Sequence, residues 1–110
     1  MEGLELVSFN IISNVGTAKS MGIEALIKGR SGKIEEAENL LKEASTFINE
    51  GHKSHTQLIQ SEAKGNKQEF SLLFMHAEDQ LMSAETILSI AKEMIYMQKE
   101  INELKINSQK

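Results

Sequence analysis

The sequence predicts an all-α domain, an antiparallel up-down-up bundle of three helices, and three observations carry that reading. The chain contains no proline, the residue that most effectively breaks a helix interior. Ala, Leu, Ile, Glu and Lys are among its commonest residues and, with six Met, are mostly good helix formers. Apolar residues recur at three- and four-residue intervals through three long stretches, and nowhere do β-branched or aromatic residues alternate with polar ones as a strand requires. At 110 residues the chain fits one domain, 1–110, with a modest core.

The first helix is expected from about Leu4 to Lys28, with Leu4, Val7, Ile11, Val15, Ala18, Gly22, Ala25 and Leu26 recurring on one side. Gly16 and Gly22 read as close-packing points, because the periodicity continues across both. The segment "GRSGK" marks a break in which Gly29 and Gly32 supply the turn and Ser31 caps the next helix. A second helix is expected from about Lys33 to Ala63, with Ile34, Ala37, Leu41, Ala44, Ile48, His55, Leu58 and Ile59 as its stripe. "KGNKQ" closes it, and the third helix runs from about Glu69 to Leu104 before a frayed "KINSQK". Short connections make successive helices antiparallel neighbours.

The third helix has two apolar stripes side by side. One comprises Leu72, His76, Asp79, Ser83, Ile87, Ile90, Met94, Met97 and Ile101; the other comprises Leu73, Ala77, Leu81, Ala84, Leu88, Ala91 and Ile95. Glu78, Glu85, Lys92, Tyr96 and Glu103 fall on the opposite side. The apolar surface is wider than the roughly 100° of a helix with one packed side. A three-helix hairpin can bury the second stripe and leave the first for another subunit, which makes self-association the expectation, with fuller burial inside one tightly packed monomer as the alternative.

Composition excludes several functions. A net charge of -4 and a pI near 5.4 argue against nucleic-acid binding. Without cysteine there is no disulfide, thiolate chemistry or cysteine-ligated metal. The opening "MEGLELVSFNIISNVG" is unlike a signal peptide, and no apolar run approaches the roughly 20 residues of a membrane span. A cytoplasmic protein is expected.

Against that background, His76 and Asp79 stand out on an apolar stripe. A carboxylate there needs a partner, a proton or a cation. Symmetry supplies one solution, in which copies of Asp79 around an oligomer axis share protons or bind a divalent ion. His76, one turn earlier, can act as nucleophile, base or ligand at the edge of a subunit contact. A partly exposed or hydrogen-bonded bystander histidine is the plainer alternative. His52 and His55, spaced i,i+3, can ligate a transition metal, although packing near the helix end also accounts for them.

"HAEDQLM", His76 to Met82, resembles the His-Ala-Gln-Asp-His-Leu-Met motif of the lactose/cellobiose family of enzyme IIA components of the bacterial sugar phosphotransferase system. "GHKSHTQLIQSEA" and "NVGTAKS" resemble that family's second- and first-helix segments, in the same order. The resemblance implies a homotrimer of three-helix subunits. It implies that His76 accepts a phosphoryl group from the histidine-containing phosphocarrier protein and passes it to a cysteine of enzyme IIB during sugar uptake. Asp79 matches the aspartate at the trimer axis, where some members bind a divalent metal such as Mg; no organic cofactor is implied. Glu78 replaces the motif's glutamine in the phosphoryl pocket, Gln80 its second histidine, and Lys19 the arginine of the first-helix pattern. Two other readings are a helical adaptor whose seam binds a partner helix, and a metal-binding bundle using His52, His55, His76 or Asp79.

Overall fold

A computed structural model describes residues 3–109; Met1 and Glu2 of the acidic start and Lys110 of the tail lie outside them. Three helices make up the fold, α1 (Gly3–Arg30), α2 (Ile34–Ala63) and α3 (Leu72–Ser108). Strands are absent among the described residues. α1 packs against both other helices, while α2 and α3 make the smallest mutual contact. The particle is elongated, 65 × 24 × 19 Å.

Both α1 and α2 end on a glycine in the left-handed region. Gly32 has φ +86°, with Lys33 N donating to Lys28 O and Gly32 N to Gly29 O. Gly65 repeats the pattern at φ +98°, with Asn66 N donating to Ser61 O and Gly65 N to Glu62 O. These paired bonds satisfy carbonyls that a helix end leaves free. α3 starts at Leu72, three residues later than expected, because the Ser71 side chain accepts a bond from Phe74 N and caps the helix there.

Two other boundary readings are corrected. Ser31 does not cap α2; its hydroxyl donates back to Ile27 O at 3.0 Å. Gly29 is no turn residue but a buried helix position, where an added Cβ would come within 2.6 Å of Ile95 Cδ1. Gly22 is a close-packing point as expected, with Leu88 Cδ2 2.6 Å from the Cβ position. Gly16 is not, since nothing lies within 4 Å of its Cβ position. "KINSQ" continues α3 as far as Ser108.

Small residues bring the helices together in two core clusters. One joins Ile11, Val15 and Ala18 of α1 to Ala44 and Ile48 of α2 and Ala77, Leu81 and Ala84 of α3. The other joins Ala25, Ala37, Leu41, Ala91 and Ile95, with Leu88 packed against both. The second α3 stripe therefore faces inward. The first does not: Leu72 is 74% exposed, Ile90 53% and Met97 59%.

Candidate functional site

His76 lies in the second turn of α3, just beyond the Ser71 cap, and its side chain is exposed. Ala77, the next residue, is fully buried, so α3 is anchored immediately beside the exposed imidazole. Asp79 is exposed on the same stripe, and among the described residues its carboxylate has no hydrogen-bond or ion-pair partner within the chain. The two groups thus share the face that carries Ile90, Met94 and Met97.

Glu78 projects to the other flank. Its Oε2 lies 2.7 Å from His55 Nε2, where the ring N–H donates to the carboxylate. Phe74 stacks on His55, with ring centroids 6.0 Å apart. Further along the seam, His52 Nε2 pairs with Glu85 Oε1 at 2.5 Å. Glu78 and Glu85 are therefore not on a free outer side of α3, as the helical wheel suggested; they face α2. The wheel resolves angles on one helix, whereas this pairing depends on the α2–α3 register.

Among the described residues no group of three or more His, Asp and Glu side chains is placed to hold a metal within one chain. His52 and His55 each turn to a separate glutamate rather than to a common point. No described helix is long and apolar enough to cross a membrane.

An exposed histidine thus stands at the start of a long helix, beside an aspartate on an uncovered apolar face. The family model for the "PTS system, Lactose/Cellobiose specific IIA subunit" matches residues 6–99. The chain belongs to this family. It is 39% identical over 102 residues to the lichenan-specific phosphotransferase enzyme IIA component of Bacillus subtilis, covering 93% of each chain. Among solved structures it resembles the cellobiose-specific enzyme IIA of Bacillus anthracis, with a TM-score of 0.90, 42% identity and 94% coverage of each chain. It also resembles the IIA(chitobiose)–HPr complex of the Escherichia coli N,N'-diacetylchitobiose branch, with a TM-score of 0.80, 28% identity and coverage of 93% of this chain and 99% of the other. The chain is thus a IIA component of a phosphotransferase system, and the three-helix architecture is that of its relatives.

Proposed function

We propose that this IIA component carries phosphoryl groups on His76 during uptake of a lactose/cellobiose-type sugar. The observation that supports it most is the exposure of His76 at a position matching the family motif, on a helix fixed by its neighbour Ala77. A nitrogen lone pair of His76 attacks the phosphorus of the donor's phosphohistidine; a new N–P bond forms as the donor's N–P bond breaks. The donor imidazole leaves with its electron pair. A cysteine thiolate of enzyme IIB then attacks the phosphorus, forming S–P and breaking N–P, and neutral His76 is regenerated. Such transfer needs positioning and charge compensation more than covalent machinery, so a small bundle without a deep substrate cleft suffices. The likeness to a IIA partnered with HPr favours the histidine-containing phosphocarrier protein as donor.

The carrier works as a homotrimer in this reading. Along α3, Ile87, Ile90, Met94, Met97, Ile101 and Leu104 alternate at three and four residues, the heptad spacing of a coiled-coil seam. Copies of that stripe packed about an axis bury it and bring the Asp79 carboxylates together, where a divalent cation such as Mg can neutralise them. His76 lies at the rim of the same contact. Incubation with the general phosphotransferase proteins and phosphoenolpyruvate should add one phosphoryl group to the intact mass, and acid should remove it. No mass gain, or an acid-stable one, rejects the proposal.

A further inference from the structure

From the groove between α2 and α3 we infer that this protein has a second binding site, one for a phosphorylated sugar. The groove encloses about 450 Å³, within the roughly 300–1,000 Å³ of small-molecule sites. Its floor is Leu41 and Ile95, and Tyr96, a residue 62% exposed, forms one wall. Lys42 enters from α2, and Lys92 and Lys99 from α3 on either side of Tyr96. None of the three is ion-paired among the described residues.

Three cations against one lining carboxylate, Glu38, make this a cationic hollow in a chain of net charge -4. Lys92 and Lys99 stand two turns apart, roughly 10 Å along the axis, within reach of a common anion through their long side chains. A phosphoryl dianion supplies that charge. Glu38 and Ser45 select the remainder of the ligand: an ionised carboxylate repels a bare anion but accepts bonds from sugar hydroxyls. The apolar floor and the Tyr96 ring fit the C–H face of a sugar ring. Lys92 is sixteen residues beyond His76, roughly 24 Å along α3, so a ligand here leaves the imidazole clear.

The choice of sugar rests on the phosphocarrier reading, since uptake by this system yields phosphorylated sugars. Binding in the groove would bridge α2 and α3, the pair of helices with the smallest mutual contact.

The test is a heteronuclear NMR titration of the full chain with glucose 6-phosphate and cellobiose 6-phosphate, at constant ionic strength. At least one should shift the amides of Lys42, Ser45 and Tyr96 saturably. Glucose, inorganic phosphate and adenosine monophosphate should each bind about tenfold more weakly or worse. Lys92→Met combined with Lys99→Met should weaken the sugar phosphate by about tenfold or more, the loss of charge-assisted bonds, while Lys105→Met should not. Absence of saturable shifts overturns the site, as does indifference to the double substitution. Inorganic phosphate or the nucleotide matching the sugar phosphates overturns the assignment to sugar. The titration uses no donor protein, so its outcome is independent of phosphoryl acceptance at His76.

Discussion

Glu78 of α3 is tied to His55 of α2, Oε2 to Nε2 at 2.7 Å, while His76, two residues before it, projects into solvent. The two side chains leave the helix on different flanks, so the carboxylate that stands in place of the motif's glutamine is engaged across the seam. Glu78→Gln should therefore keep a bond to His55, because an amide can donate or accept. Stability should change by no more than about 1 kcal/mol, the scale of a partly exposed polar pair, and phosphoryl acceptance should persist. Denaturant unfolding and a labelling time course check this; a tenfold slower labelling would give Glu78 a part in the transfer itself.

Gly51 separates packing from propensity. An alanine Cβ there would lie 2.9 Å from Val15 Cγ1, and Val15 is 1% exposed and β-branched, so it cannot rotate aside. Overpacking costs about 1–3 kcal/mol against a helix-propensity gain of about 1 kcal/mol. Gly51→Ala should thus lose roughly 1 kcal/mol. Gly22→Ala, opposed by the flexible tip of Leu88, should be near neutral. Thermal unfolding of the two variants gives the order directly.

The uncovered α3 stripe predicts an assembly that charge can dissolve. Ile90→Lys with Met97→Lys should yield a monomer by sedimentation, with helical circular dichroism retained, since neither side chain is buried within one chain. A wild-type monomer contradicts the trimer.

Asp79→Leu should act in the opposite sense. If the proposed trimer gathers these carboxylates, replacing them with an apolar group should leave the assembly equally stable or stabilise it by as much as about 4 kcal/mol. Dissociation into monomers upon that substitution would show the carboxylate to be essential to the contact.

Much of this arrangement is legible in the chain itself. Period 3.6 separates Ala77, Leu81, Ala84, Ala91 and Ile95 from Leu72, His76 and Asp79 as two stripes, and packing of the three helices turns the former inward and leaves the latter outward. Local punctuation is less dependable. Gly29 looks like a turn residue, yet it lies buried inside α1 with the tip of Ile95 packed against it, and Ser31 bonds backward instead of capping forward. The glutamates paired with His52 and His55, and the groove lined by Lys92 and Tyr96, escape the helical wheel because they arise only when two helices are aligned.

Locating the label decides the matter most directly. The chain has three histidines, and two of them, His52 and His55, face glutamates. Peptide mass mapping of the phosphorylated protein, kept alkaline to preserve the N–P bond, should find the phosphoryl group on His76 alone, and His76→Ala should remain folded and unlabelled. Phosphate on His52 or His55, or normal labelling of the His76→Ala protein, would contradict the account.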